Sequence, residues 1–340
     1  MKKIILLFIC CFCLSGCFDY KELNDMSIVN GIGIDYKDGE YVVYLEINNS
    51  VKKNGDSELV TEVIEGSNKN IALAYNEAIQ SSSKVLYAEH VNLLLLSKEI
   101  ANKGIGEIID FLLRDLTINN NYMVVITDKP KDILNIKKNN NSIVNVIVDT
   151  IKYDINSTYK YDLDFVAAKL LNKNINLVLP YVEINNDNVI VRKIACFKED
   201  KFKNMDEAKV YNFLIHDIDS VDFRQANNVI NIYNKKIKYE VEKNKIVIKI
   251  TGNGNIKETD KKYNLKKIND YEEIEKIINK EIKKEITEYI DNAFNKGIDL
   301  FSLKDKYYKK YKTYKDNLKY EVNVDVTLNK NGSIYEVIYD

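Results

Sequence analysis

The alternation of strand-like and helix-like hydrophobic patterns constrains the fold of this chain more than any other feature of its sequence. Continuous apolar runs at 91–96 and 122–127 are typical of strands buried on both faces. Apolar residues at helical spacing surround these runs, over 71–79 and 105–113. This order predicts an α/β N-terminal half, in which helices cover a mixed or parallel sheet.

A few single residues predict where elements of this half begin or lie. Ser97 follows the first apolar run and Asp162 precedes a helical pattern at 163–171, so each can cap the helix that comes after it. Pro180 lies inside a strand pattern at 177–184. Because proline has no N–H to donate to a ladder, Pro180 predicts that this strand lies near a sheet edge.

The second half follows a different order, typical of an α+β fold. Strand patterns at 229–241 and 245–257 are joined by a short turn, and polar and apolar residues alternate again from Tyr320. Asn331-Gly332 then predicts a turn into a final strand. Between these strands, isoleucines recur at every fourth position and predict one long helix: Ile274, Ile278, Ile282, Ile286 and Ile290. We therefore expect an antiparallel sheet with a long helix.

These patterns predict a multidomain chain. A polar stretch rich in Lys and Asn at 135–142 indicates one boundary, and the change of element order near residue 206 indicates another. The predicted parts are a lipoprotein signal peptide at 1–16, a lipidated tether at 17–22, an N-terminal α/β domain at 23–140, a small middle domain at 141–205 and a C-terminal α+β domain at 206–340.

The first residues predict export. Lys2 and Lys3 precede an apolar run at 4–14, which is shorter than the about 20 residues that a membrane-spanning helix needs. The junction Leu14-Ser15-Gly16-Cys17 resembles a lipobox, so we expect cleavage before Cys17 and diacylglycerol and palmitate on the mature amino terminus. Because two or more acyl chains hold a protein stably in a bilayer, the chain is expected on the outer face of a membrane. The alternative is an ordinary signal peptide in which Cys17 is incidental.

Cysteine and charge content exclude two further classes. Cys10, Cys11 and Cys13 leave with the signal peptide, so Cys196 is the only thiol left in the mature body, and no intramolecular disulfide can form there. Without Lys2 and Lys3, 48 basic residues face 51 acidic ones, interleaved along the chain. That is not the footprint of a nucleic-acid-binding protein.

The sequence contains few of the residues and motifs that enzymes use for catalysis. It has two histidines, His90 and His216, and no zinc, serine-triad or phosphate-loop motif. His216 is followed by Asp217, Asp219 and Asp222, but the Gly and terminal Glu of a calcium loop are missing, so a solvated acidic turn is the simpler interpretation. We expect no enzyme activity, no catalytic residue, no cofactor and no metal.

Three segments carry a resemblance to a known family. The first is Gly16-Cys17-Phe18-Asp19-Tyr20-Lys21-Glu22-Leu23-Asn24, continued over 29–35. The second runs from 86–90 through 101–104 to 110–115 and ends in Arg114-Asp115. The third is Asp299-Leu300-Phe301-Ser302-Leu303, followed by the alternating strand from Tyr320. Together they resemble the Ger(x)C lipoprotein family, the C subunit of spore-germination receptors, although Ser302 stands where the family favours Gly and Tyr replaces a family Trp.

The resemblance implies a non-enzymatic subunit of a nutrient-germinant receptor in the inner spore membrane, built from three α/β domains. It implies two kinds of partner, membrane lipid through acylated Cys17 and the membrane-embedded A and B subunits of the receptor. Arg114, Asp115, Asp299 and Phe301 are candidate interface residues, although an Arg at a helix end also favours the helix dipole. Contact with a small molecule is left open.

Two other functions stay in view. A solute-binding lipoprotein of a transport system would share the tether and the α/β half, but it needs two similar lobes around a cleft. A surface hydrolase would lose activity when His90 or His216 is changed. A receptor subunit, in contrast, is expected to co-purify with multi-pass membrane proteins.

Overall fold

The structure is a computed structural model, and it describes 26–53, 56–115, 118–137, 142–155, 161–172, 175–185, 188–215, 220–225, 228–259, 263, 267–315 and 317–329. The predicted signal peptide, tether and Cys17 lie outside these residues, as do His216, Asp217, Asp219 and the Asn331-Gly332 turn.

A large mixed sheet dominates the first two thirds of the chain. Its strands are β1 (Met26–Lys37), β2 (Glu40–Lys53), β3 (Asp56–Asn68), β4 (Val85–Tyr87), β5 (Leu93–Ser97), β6 (Met123–Thr127), β7 (Val178–Asn185), β8 (Asn188–Lys198) and β9 (Lys201–Glu207). Their order is β3-β2-β1-β5-β6-β7-β8-β9, and β4 pairs with β1. The pairings among β1, β5, β6 and β7 are parallel, while β1 to β3 and β7 to β9 pair antiparallel. The predicted mixed sheet is confirmed.

Helices cover this sheet. They are α1 (Ile71–Gln80), α2 (Lys98–Lys103), α3 (Gly106–Arg114), α4 (Pro130–Leu134), α5 (Ile143–Ile155) and α6 (Leu163–Leu171). Two predicted caps are confirmed, because Ser97 Oγ accepts from the Ile100 N–H at 3.1 Å and Asp162 Oδ1 accepts from the Phe165 N–H at 2.9 Å. Each bond satisfies a donor that the first turn of a helix leaves free.

The prediction that Pro180 marks an edge strand is wrong. β7 lies inside the sheet, between β6 and β8. Its parallel pairing with β6 consists of Tyr181 with Ile126 and Val182 with Thr127. Pro180 precedes that ladder, so its missing N–H removes no bond to β6, and an inner strand tolerates it.

A second sheet and a long helix form the C-terminal part. The elements are α7 (Ala208–Ile215), β10 (Ser220–Gln225), β11 (Asn228–Val241), β12 (Lys245–Glu258), α8 (Ile268–Asn295), α9 (Leu303–Tyr311) and β13 (Lys319–Leu328), with the strands in numerical order. β10 was not predicted. Asp222, interpreted above as part of an acidic turn, lies in it and forms an ion pair with Lys257 at 2.8 Å.

The expected antiparallel sheet needs one correction. β10, β11 and β12 are antiparallel, but β13 runs parallel to β12, from Lys245 beside Lys319 to Gly254 beside Leu328. Helices α8 and α9 connect the two strands. A helical crossover returns the chain to the end at which β12 began, so the next strand runs in the same direction.

The long helix buries the isoleucine stripe that predicted it. The buried side chains of α8 are Tyr271, Ile274, Ile278, Ile282, Ile286, Ile290 and Ala293. They belong to one hydrophobic core with the inner faces of the second sheet, including Ile246, Ile248 and Val322. A four-residue repeat keeps a stripe on one side of a helix, and the remaining sides of α8 carry its Lys and Glu residues.

Strands β7 and β8 belong to two cores at once. Leu179 and Phe197 are part of the core of the first sheet, whereas Val178, Ile194 and Cys196 are part of the core that contains α7 and α8. Successive side chains of a strand point to opposite faces, so the same strands serve both cores. The mixed α/β architecture with two sheets is thereby built around a shared pair of strands.

The predicted domain boundaries at residues 140 and 205 stay predictions. Of the strands that fall within 141–205, β7 and β8 extend the first sheet, and β9, which was not predicted, adds to it as far as Glu207.

Candidate functional site

The loop between α8 and α9 connects the two hydrophobic cores through hydrogen bonds. The Asp299 N–H donates to Asn176 Oδ1 at 2.8 Å, and Asn176 Nδ2 donates to the Phe197 carbonyl oxygen at 2.9 Å. The Asp299 carboxylate accepts from the backbone N–H groups of Leu303 at 2.9 Å and Lys304 at 2.8 Å. It therefore caps the start of α9 while its own backbone is held against the first sheet.

The predicted interface residues Asp299 and Phe301 are both buried. Burial raises the pKa of Asp299 above its usual range, outweighing the N–H donors that favour the charged form. The Phe301 ring packs beside Tyr211 of α7 and Tyr289 of α8, with ring centres 6.1 and 6.3 Å away. Neither side chain lies on the described surface. Asp299 caps helix α9, and Phe301 packs in the hydrophobic core.

Ser302, which stands at the family's Gly position, has a left-handed backbone. Its φ is 52° and its ψ is 41°, and its side chain makes no capping bond to α9. This conformation costs a residue with a Cβ atom about 1–2 kcal/mol and costs Gly almost nothing. A Gly at this position would avoid that cost, in agreement with the Gly that the resemblance places here.

We expect Ser302→Gly to stabilise the protein by about 0.5–1 kcal/mol. The substitution relieves the left-handed strain, and the larger entropy of an unfolded Gly offsets part of the gain. Urea unfolding followed by circular dichroism measures the difference. Ser302→Ala is the matched control because it keeps the Cβ atom, so its stability should stay near that of the wild type; equal gains in both variants would contradict this explanation.

Arg114 is the last residue of α3 and is exposed, and the half-buried Asp115 follows it at the C-cap position. Arg114 donates through Nε and Nη2 to the two carboxylate oxygens of Asp110, one turn earlier, both at 3.0 Å. The side chains of Arg114 and Asp110 are 76% and 64% exposed. An exposed pair at this spacing contributes only about 0.3–0.5 kcal/mol to stability. Loss of the Arg114 guanidinium should therefore destabilise the fold very little. An interface role for Arg114 and Asp115 stays a prediction.

A buried polar cluster, which the sequence did not reveal, lies between β1, β2 and the start of α5. Glu46 is fully buried, and Ser142 Oγ donates a hydrogen bond to its Oε1. Asn30 Nδ2 lies 3.4 Å from the same oxygen and also donates to Ser142 Oγ. Glu46 Oε2 has no partner among the residues that the structure describes. A carboxyl group inside an apolar strand pattern, Val43-Tyr44-Leu45-Glu46-Ile47, is the signal that could have found it.

Burial raises the pKa of Glu46, and its hydrogen bonds from Ser142 and Asn30 compensate only in part. The folded protein thus holds this proton more tightly than the unfolded chain does. Stability from this group is present at pH values below its unfolded pKa and is lost as the pH rises through its higher folded pKa.

Glu46→Gln should therefore be more stable than the wild type at pH 8, and the gain should shrink towards pH 4. Glutamine keeps the shape and stays uncharged at both pH values. Melting temperatures across this pH range test the expectation. Glu62→Gln, at an exposed carboxyl group of β3, is the control and should follow the wild type at all pH values. Parallel curves for wild type and Glu46→Gln would rule out the assigned cause.

The described residues contain no cluster of three His, Cys, Asp or Glu side chains that could hold a metal ion. His90 is exposed, with its ring 5.5 Å from that of Tyr87. Cys196 is fully buried, and burial raises the pKa of its thiol. Such a thiol is hard to ionise and therefore a poor nucleophile. In the same residues, every helix is too short or too polar to cross a bilayer.

The described residues form an α/β protein in which two cores share strands and are connected by hydrogen bonds of the Asp299 loop, and they include no cluster that could hold a metal ion. Comparison with known proteins gives this class a family. A family model described as the spore germination protein N-terminal domain matches residues 19–184, and one described as spore germination B3/GerAC-like, C-terminal, matches residues 192–332. The chain belongs to the Ger(x)C family, the C-subunit family of germinant receptors, which is not a known enzyme family.

Curated relatives and a solved structure agree with the family. Spore germination protein KC of Bacillus subtilis (strain 168) is 24% identical over an alignment of 355 residues. The alignment covers 90% of this chain and 87% of that protein. Spore germination protein A3 of the same strain is 26% identical over 212 residues, covering 58% and 55%. The crystal structure of the GerBC protein superposes with a TM-score of 0.54 at 14% identity, covering 91% of this chain and 99% of that one. This last likeness supports the fold.

Proposed function

We propose that this chain is the lipid-anchored C subunit of a nutrient-germinant receptor, acting through contact with other proteins and without catalysis. The observation that carries the proposal is the match of both germination-protein family models, which together span most of the mature chain. A role by contact also agrees with a described surface on which no metal cluster and no activated thiol is found.

The membrane attachment is proposed from the amino terminus. Cys17 follows a signal-peptide pattern and a lipobox-like junction. Acyl chains on Cys17 would hold the body on the outer face of the spore inner membrane, beside the membrane-embedded A and B subunits. Two or more chains are needed for stable attachment.

A solute-binding lipoprotein is less well supported. Its ligand would lie in a cleft between two similar lobes that close about a hinge. Here the described halves differ, with a mixed sheet of nine strands and a second sheet of four, and they share the strands β7 and β8. A shared pair of buried strands opposes the separation that such a cleft needs.

Lipid labelling tests the anchor. Wild-type protein should incorporate labelled palmitate and sediment with membranes, whereas Cys17→Ala should lose the label and nearly all membrane association. Cys196→Ala is the matched control, since it removes the other mature cysteine, which is buried, and should keep the label. A labelled Cys17→Ala, or an unmodified Cys17 in mass spectra of the wild type, would refute lipidation at this residue.

Deletion and co-purification test the receptor role. Spores without the gene should lose the response to one class of nutrient germinant, and wild-type protein solubilised from spore membranes should bring two membrane-embedded subunits with it. Arg114→Ala and Asp115→Ala, compared with Asp110→Ala, test the candidate interface, because loss of Asp110 removes the ion pair but leaves the Arg114 guanidinium available. An unchanged germination response in the deletion strain would exclude the proposed role.

A further inference from the structure

Strand β13 forms one edge of the second sheet, and side chains of α8 close part of that edge. Among the described strands, β13 pairs with β12 alone. Asn279 of α8 donates through Nδ2 to the Val326 carbonyl oxygen at 3.0 Å and accepts from the Val326 N–H at 2.8 Å. One turn earlier in α8, Glu275 accepts from the Leu328 N–H at 2.8 Å. These two side chains take the place of a neighbouring strand at the end of β13.

The earlier part of this edge is open. The ladder between β12 and β13 is regular, and alternate residues of a strand direct both their N–H and carbonyl groups to the same side. Tyr320, Val322 and Val324 therefore point the same way as Val326, away from β12. No hydrogen bond to their backbone groups is found among the described residues. An edge strand with unpaired backbone groups is a template on which another strand can form.

The composition of α8 explains why the edge is closed only at one end. Four residues of a helix advance by about 6 Å and two residues of a strand by about 6.6 Å, so every fourth residue of α8 lies beside every second residue of β13. The row that begins with Glu275 and Asn279 continues with Lys283 and Thr287. A lysine offers no acceptor to an N–H group, and the Thr287 hydroxyl donates to the Lys283 carbonyl oxygen at 2.7 Å.

A groove of about 700 Å³ lies beside the open part of the edge, between 317–322 and α8. We call it the edge groove. Its apolar lining includes Phe294, Leu318 and Tyr320, which are all half-buried, and the rings of Phe294 and Tyr320 are 5.9 Å apart. A strand added to β13 would turn alternate side chains towards this apolar lining.

The charges of the edge groove favour an acidic ligand. Its two carboxylates are already engaged, because Glu321 pairs with Lys245 and Asp291 accepts a hydrogen bond from the Tyr320 hydroxyl. Three lysines also line it and form no ion pair among the described residues: Lys283, Lys304 and Lys319. The unpaired positive charge attracts carboxylates and repels basic segments.

We propose that the edge groove binds an extended, acidic segment of a partner protein, which adds to β13 as a further strand beside 320–324. Its backbone bonds to the unpaired groups of β13, and its Asp or Glu side chains meet the three lysines. A second copy of this chain fits less well, because it would bring the same lysines towards one another. The edge groove could serve the receptor function proposed above, but its binding of a peptide does not require that function.

Binding is measured by fluorescence anisotropy on the full chain purified in a non-ionic detergent. The probe is a labelled peptide in which Glu alternates with Val. One reference peptide carries Lys in place of Glu, and the other keeps Glu but has alternate backbone amides N-methylated, which removes the N–H donors that a strand needs. We expect saturable binding of the probe, and binding at least roughly tenfold weaker for each reference peptide, equivalent to about 1.4 kcal/mol.

Matched variants test the lysines. Lys283→Gln with Lys319→Gln removes two exposed charges of the edge groove, and Lys280→Gln with Lys284→Gln removes two exposed charges of α8 that do not line it. The first pair should weaken binding of the acidic peptide at least roughly fivefold, equivalent to about 1 kcal/mol, and the second should leave it near the wild-type value. All four positions are exposed, so neither pair should alter the fold.

Hydrogen exchange shows whether the edge itself is used. Without peptide, the amides of Tyr320, Val322 and Val324 should exchange faster than those of Val326 and Leu328, which α8 already bonds. The acidic peptide should slow the first three and leave the other two unchanged. Val324→Pro, which removes one outward N–H from an edge strand, should weaken binding, whereas Val324→Ala keeps that N–H and should bind as the wild type does.

Several results would overturn the proposal. They are the absence of saturable binding of the acidic peptide, equal affinity in the two lysine variants, and slowed exchange that spares 320–324. Self-association of the wild type that Val324→Pro abolishes would assign the edge to a second copy instead. A chain shortened after Asn329 that binds the peptide at least roughly tenfold more tightly than the full chain would assign the edge to residues 330–340 of this chain, and would overturn the proposal equally.

Discussion

Phe301→Ala is expected to destabilise the protein by about 3–5 kcal/mol, the usual cost of truncating a buried Phe to Ala. Phe301 is 2% exposed and its ring contacts Tyr211 and Tyr289. The truncation leaves a cavity between α7 and α8, next to the loop that holds the second core to the first sheet. Urea unfolding followed by tyrosine fluorescence and circular dichroism measures the loss.

Two controls make this result specific. Phe301→Leu fills most of the same space and should cost much less than the alanine variant. Tyr153→Ala removes an aromatic ring that is 86% exposed and should change stability by no more than about 0.5 kcal/mol. If Phe301→Ala lost no more stability than Tyr153→Ala, the anchoring role of Phe301 would be refuted, and its interface role would return to consideration.

Gly66→Ala is expected to be similarly damaging, at about 3 kcal/mol, for a steric reason. Gly66 lies in β3 where helix α1 crosses the strand. A Cβ atom there would meet backbone atoms of α1, at 2.2 Å from Ala78 N and 2.5 Å from the Ala74 carbonyl oxygen. Backbone atoms cannot rotate away as the end of a side chain can, so the helix has to move off the sheet.

The nature of this clash defines its test. Ser67→Ala, at the exposed neighbouring position, should stay within about 0.5 kcal/mol of the wild type. Adding Ala78→Gly to Gly66→Ala should not restore stability, because the clash involves backbone atoms rather than the Ala78 methyl group. Hydrogen exchange should show faster opening of α1 in Gly66→Ala; rescue by Ala78→Gly would disprove the proposed contact.

Features governed by neighbouring residues could be predicted from the sequence. Ser97 and Asp162 cap their helices because a cap depends on residues two or three positions away. The isoleucines of α8 repeat every fourth position and are buried together for the same local reason. The mixed α/β architecture followed from the order of such elements.

Features that depend on distant partners could not be predicted. The buried cluster around Glu46 could not be predicted, because its donor Ser142 is 96 residues away in the sequence. The resemblance singled out Asp299 and Phe301 but carried no information about whether their side chains face inwards or outwards. The parallel direction of β13 depended on the path of α8 and α9, and the inner position of β7 depended on where β6 ends.

The double use of β7 and β8 has a mechanical consequence. A hinge between the two halves would have to expose Val178, Ile194 and Cys196 on one side or Leu179 and Phe197 on the other, and the exposure of that much apolar surface opposes bending. The two halves are therefore expected to move together as one body, without a hinge at the shared strands.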